Sequence, residues 1–114
     1  MYVVYAIRLD DYVGGHLSPS QAILKVGVSI HDVCYRLDAN ERYEGKNSYR
    51  ALFKKIEVLG QKKFQTKAEA EAYEQDLLQE LGKKDLNIKE MVKGVTELRV
   101  LTPDRLTLVQ QWMA

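Results

Sequence analysis

Glu74 stands where the surrounding pattern asks for an apolar side chain. Between Thr66 and Leu81, residues Ala70, Tyr73, Leu77, Leu78 and Leu81 recur at helical spacing and form one apolar stripe, and Glu74 falls four residues from Ala70 and from Leu78, inside it. Glu69, Glu71, Asp76 and Glu80 can point to water instead. A carboxylate on a buried face must be neutralised, hydrogen-bonded, ion-paired or bound to a metal. Residue types alone leave two roles open, a structural ion pair and a metal ligand or catalytic carboxylate. A second set of polar residues lies earlier, where Lys25, Gly27 and Ser29 alternate with Leu24, Val26, Val28 and Ile30. This period of two predicts a strand with one buried face, with Lys25, Gly27 and Ser29 sharing the other. A glycine inside a strand marks a bulge or the close approach of a ligand or another backbone. Ser29 to Asp32 can cap a helix carrying Val33 and Leu37, with Arg36 one step to the side. A strand-borne ammonium and a helix-borne guanidinium could therefore converge on one patch. His31 and Cys34, three apart near a helix start and without an orienting carboxylate of obvious placement, make a poor nucleophile and base pair.

The elements that must position these groups are read from pattern and punctuation. Tyr2 to Leu9 is rich in β-branched and aromatic residues and predicts a strand on which Tyr5 shares a face with Val3 and Ile7. Asp10 to Gln21 contains Gly14-Gly15 and Ser18-Pro19-Ser20, a loop that makes the first two strands antiparallel neighbours, with His16 in it favoured as an exposed spectator over a catalytic group. The first helix is expected to run to about Asn40, followed by a polar loop from Glu41 to Ser48. Leu52 to Leu59 predicts a third strand, at an edge because of its charges and ended by Gly60. Thr66 and Glu69 form a capping box for the helix to Leu81, and Gly82 follows at its end. Val95 to Leu101 alternates as a short strand, and Thr102-Pro103-Asp104 opens a last helix with Leu106, Val109 and Met113 on one face. Trp112 is assigned to the core or to a lid over a site.

With 114 residues, one cysteine and a net charge of +1, the chain reads as a single α+β domain, 1–114, without disulfides. No spanning helix or leader is read near Met1, so a cytoplasmic location away from membranes is expected. The overall charge argues against bulk electrostatic binding of nucleic acid. Locally, however, Arg42, Lys46, Arg50, Lys54, Lys55, Lys62, Lys63 and Lys67 face only Glu44 and Glu57. That basic run is either a solvated face or a surface for phosphates.

Four features stand in a fixed order: Tyr5 on the first strand, Lys25-Val26-Gly27 on the second, Arg36 on the first helix and Glu74 on the capped helix. This order resembles the GIY-YIG nuclease superfamily, whose first two strands carry Gly-Ile-Tyr and Tyr-Ile-Gly, whose first helix carries an arginine and whose later helix carries a metal-binding glutamate. Val3-Val4-Tyr5 stands at the first motif and Lys25-Val26-Gly27 at the second. The sequence is most similar to the branch of short phage and microbial members in which the second motif begins with lysine. Gly94 to Val100 is also similar to the Glu-containing strand that closes the domain there. The resemblance covers Tyr2 to Leu101 and departs from the family at Val3, where a glycine is usual, and at Lys25, where a tyrosine is.

The resemblance implies a small antiparallel three-stranded sheet with a short C-terminal strand, flanked by helices, and a metal-dependent endonuclease acting on DNA. In that reading Tyr5 is the general base, Lys25 is the neighbouring cation that favours its phenolate, Arg36 holds the scissile phosphate, and Glu74 holds one Mg²⁺ or Mn²⁺. Ser29 could add a hydrogen bond to phosphate, and Arg42, Lys46, Arg50, Lys54, Lys55, Lys62 and Lys63 would contact the DNA. A second copy or a targeting protein is the further partner expected, since one site cuts one strand. The rival functions are a non-cleaving DNA-binding module and a phage-type protein-interaction factor that keep the fold.

Overall fold

The computed structural model describes residues 1–13, 21–83 and 98–114. His16, most of the expected Asp10 to Gln21 loop and the Gly94 to Glu97 part of the closing strand lie outside the described residues. Two long strands, β1 (Tyr2–Tyr12) and β2 (Ile23–Ser29), pair antiparallel as expected. They form the interior of a four-stranded antiparallel sheet. Its order is β3-β1-β2-β4, with β3 (Phe53–Phe64) and the short β4 (Leu98–Val100) at the edges.

Being interior, β1 and β2 are covered on both faces. Val3, Tyr5, Ile7 and Leu9 pack with Ile23, Val33, Leu37, Tyr49, Phe53 and Leu98 on one side, whereas Val4, Ala6, Leu24 and Val26 pack with Ala70, Leu77, Leu78, Leu81 and Val109 on the other. The expectation of one buried face for the second strand is thereby corrected. Lys25 and Ser29, on its polar side, are only 4% and 3% exposed, and Ile30, placed in the apolar row, is exposed.

Helix α1 (Val33–Glu44) starts where expected. The Asp32 side chain accepts the Tyr35 N–H at 2.8 Å, and the Gln61 side chain, reaching across from β3, accepts the N–H of Val33 at 3.1 Å. The helix runs past Asn40, so the loop expected at Glu41 to Ser48 is corrected. The last turn of α1, a 3-10 turn over Gly45–Asn47 and the Ser48 cap of the one-turn helix α2 (Tyr49–Leu52) occupy it. Glu41, Arg42 and Glu44 are good helix formers that carry no apolar period because their turn faces water. Asn40 ties α1 to α2 by accepting the Tyr49 N–H at 2.8 Å.

Strand β3 continues through Gly60, which the sequence reading takes as its end. A Cβ at position 60 would stand 2.5 Å from Cβ of Met113, so this glycine admits the last helix against the sheet and does not stop the strand. Helix α3 (Lys67–Leu81) has the expected Thr66 cap, with the Glu69 carboxylate turned to the Thr66 hydroxyl and not to the Thr66 N–H of a full capping box. Thr66 Oγ1 accepts the Glu69 N–H at 3.2 Å and donates to the Glu69 carboxylate at 2.9 Å. At its other end the Arg99 Nε–H reaches the Gly82 carbonyl at 2.9 Å, and Arg105 of helix α4 (Pro103–Met113) donates to the carbonyls of Leu81 at 3.1 Å and Val100 at 2.7 Å. Trp112 on α4 packs with Tyr73, ring centroids 5.0 Å apart. No helix among the described residues is long and apolar enough to cross a membrane.

Candidate active site

An open cleft of about 650 Å³ lies where β1 begins and β2 ends, walled by α1 on one side and α3 on the other. Tyr5 and Ser29 line it from the two strands, Arg36 from α1 and Glu74 from α3. Tyr5 belongs to the core under α1, and the apolar residues of α3 belong to the core on the opposite face of the sheet. The cleft gathers them because it opens at the end of the sheet, where both walls are in reach.

Tyr5 forms the floor and is fully buried. Its partner across the strand pair is Gly27, and a Cβ there would stand 2.6 Å from the phenol oxygen and 2.7 Å from Cζ. The third residue of Lys25-Val26-Gly27 is thus a glycine because the Tyr5 ring crosses directly over it. Lys25, on the same face, is diagonal to Tyr5. Its ammonium lies 6.0 Å from the Tyr5 ring centroid and 5.3 Å from that of Tyr49, a cation held among aromatic rings. It is not among the residues lining the cleft, so Lys25 stands behind Tyr5 and does not share an open patch with Arg36.

Ser29 Oγ accepts the His31 N–H at 3.4 Å and keeps its own hydrogen to donate. Arg36 is exposed along the α1 wall. The Glu74 side chain, in a residue only 6% exposed, receives a hydrogen bond from Gln75 Nε2 at 3.2 Å. Glu71, one turn earlier on the same wall, also lines the cleft, its carboxylate 3.7 Å from the Lys67 ammonium. Among the described residues no three His, Cys, Asp or Glu side chains group closely enough to hold a metal by themselves. A hard cation that keeps most of its waters and binds substrate phosphate needs only one or two carboxylates, and Glu74 with Glu71 beside it fits that requirement.

Of the expected DNA-contacting residues, only Ser29 lines the cleft; Arg42, Lys46, Arg50, Lys54, Lys55, Lys62 and Lys63 do not. Arg50 pairs with Asp38 and, at 3.5 Å, with Glu41, and the hydrogen bond to Asp38 raises its pKa above the ordinary arginine value. Lys62 lies 5.2 Å from the centre of the Tyr73 ring, and Lys55 stands opposite Asp10 of β1. Strand alternation sends Lys62 and Lys63 to opposite faces of the sheet.

Three tyrosines that the sequence reading did not single out also line the cleft: Tyr2, Tyr35 and Tyr43. Tyr35, Ala39 and Tyr43 repeat every four residues on α1, a signal hidden by ending the helix at Asn40. The His31 ring meets Tyr35 edge-on at 4.6 Å, and Cys34 is exposed on the same turn. No family model, curated protein or solved structure matches this chain.

Proposed function

We propose that this chain is a metal-dependent endonuclease of the GIY-YIG kind that hydrolyses phosphodiester bonds in DNA. The reading is carried by one observation: Tyr5, Ser29, Arg36 and Glu74, from four separate segments, line a single cleft. Phosphodiester hydrolysis needs an activated water, relief of charge on the phosphoryl oxygens and stabilisation of the leaving oxygen. Tyr5, as the phenolate favoured by the Lys25 ammonium behind its ring, takes the proton of the attacking water. The water oxygen bonds to phosphorus as the bond to the leaving oxygen breaks, and that oxygen takes a proton from solvent. Arg36 presents its planar fork to the non-bridging oxygens, and Ser29 donates one further hydrogen bond. A Mg²⁺ or Mn²⁺ held by Glu74 supplies Lewis-acid charge neutralisation at the phosphate when bound. One cleft cuts one strand, so a double-strand break requires a second copy.

The alternative, a non-cleaving nucleic-acid-binding module with the same fold, is favoured by the complete burial of Tyr5, since a base must meet its water. Incubation with supercoiled plasmid and Mn²⁺ separates the two. Wild-type protein nicks the plasmid, EDTA stops it, and Glu74→Gln slows it by about 10²–10³-fold or more with an unchanged thermal melt, the scale of losing one preorganised electrostatic group from an active site. DNA retained without nicking sinks the enzymatic reading and leaves the binding module; neither retention nor nicking leaves the protein-interaction factor.

A further inference from the structure

We infer that the cleft takes an unstacked, single-stranded stretch of nucleic acid, its bases lying on Tyr35 and Tyr43 while its backbone passes Arg36. This deepens the endonuclease reading and rests on it for the place of the backbone.

Large apolar side chains exposed to water are few among the described residues, and they are not scattered. Met1, Val13 and Val58 lie elsewhere, but Ile30, Tyr35 and Tyr43 all border this one cleft, Tyr35 45% and Tyr43 80% exposed. An exposed aromatic face is costly in water and ready to stack, and base–aromatic stacking tolerates any sequence because every base has a π face. Tyr35 and Tyr43 are eight residues apart on α1, about 12 Å along its axis, with the small Ala39 between them and Arg36 beside Tyr35. That span exceeds the separation of neighbouring stacked bases, about 3.4 Å, so the two tyrosines cannot take adjacent bases of a stacked helix. They fit a strand drawn out along α1. The edge-on His31 ring braces Tyr35 in advance of binding.

Charge points the same way. Duplex binding draws its affinity from phosphates neutralised by a continuous basic surface. Here the net charge is +1, Arg50 is engaged by Asp38 and Glu41, and neighbouring lysines of β3 are sent to opposite faces. A single strand also needs cations along its backbone, here Arg36 with Lys67 on the facing wall, but it adds open base faces that the tyrosines can take.

The test is fluorescence anisotropy with a fluorescein-labelled DNA oligonucleotide, single-stranded or annealed to its complement, in EDTA so that nothing is cut. The single strand is expected to bind at least ~10-fold tighter than the duplex. Tyr35→Ala with Tyr43→Ala should weaken it by at least ~10-fold, given that each lost stack of ~1–3 kcal/mol is worth ~5- to 150-fold. Tyr35→Phe with Tyr43→Phe should stay within ~2-fold, because the ring is kept. An RNA strand of the same sequence tells which backbone is preferred, and tighter binding of either strand than of the duplex supports the inference. Equal affinity for duplex and strand, or an alanine variant that binds like wild type, would overturn it. Strand preference in a protein that cuts no substrate overturns the endonuclease reading alone. Plasmid nicking by wild type together with a double alanine variant that keeps wild-type affinity for the single strand overturns this inference alone.

Discussion

The two walls of the cleft are built differently. Helix α3, which carries Glu74, buries Ala70, Leu77, Leu78 and Leu81, opens on the Thr66 cap and ends with the carbonyls of Leu81 and Gly82 held by Arg105 and Arg99. Helix α1, which carries Arg36, Tyr35 and Tyr43, buries only Val33 and Leu37 and is held otherwise by polar ties, Asp32 and Gln61 at its first turn and Asn40, Asp38 and Glu41 toward α2 further along. At ~1.5–3 kcal/mol for each fully buried large apolar side chain, three leucines on α3 against one valine and one leucine on α1 make a clear difference in seating. The carboxylate is therefore fixed on a stiff wall. The guanidinium and the tyrosines are on a wall that buries less apolar surface and so opens at lower cost. A site that clasps a long flexible ligand gains from that division, because one side sets the chemistry and the other adapts.

The largest test of the contrast is Arg99→Met. The buried guanidinium also donates to the Leu98 carbonyl at 2.8 Å, so its removal strands the Gly82 carbonyl at the end of α3 and the Leu98 carbonyl of β4. A loss of ~2–4 kcal/mol in urea unfolding is expected. A loss below ~1 kcal/mol would show that Arg99 does not hold that end of α3 and would weaken the contrast, leaving it to the Arg105 contact and the buried leucines. Next comes Gly27→Ala, which forces a methyl against the Tyr5 ring. It should cost ~1–3 kcal/mol by the same measurement and slow nicking by displacing the phenol. Wild-type stability would mean that the ring shifts freely. Smallest in stability is the paired loss of caps, Asp32→Ala and Thr66→Ala, each ~1 kcal/mol. Hydrogen exchange sharpens the comparison. The Arg36 amide should exchange faster in Asp32→Ala, whereas the Glu74 amide should hardly change in Thr66→Ala. Equal responses would make the walls alike.

What the sequence disclosed and what it hid divide along physical lines. Local signals were readable: the Thr66 cap, the Gly82 stop, the Pro103 start and the apolar period that marks Glu74 as buried all act within a few residues. Tertiary contacts were not. Gly60 looked like a terminator because its reason, the Met113 side chain, comes from 53 residues later, and Lys25 and Ser29 looked solvent-facing because their cover comes from other elements. The last turn of α1 carried no apolar stripe, which concealed Tyr43 and with it the aromatic edge of the cleft. The basic run between Arg42 and Lys67 was a true feature of composition. Its meaning changed once the fold distributed those charges among acidic partners, an aromatic ring and opposite sides of the sheet.

Cys34 is the chain's single cysteine, and it is exposed one residue before Tyr35. A maleimide dye would therefore label the native protein at one spot, without mutagenesis, and its emission would report in real time whenever anything settles along that helix.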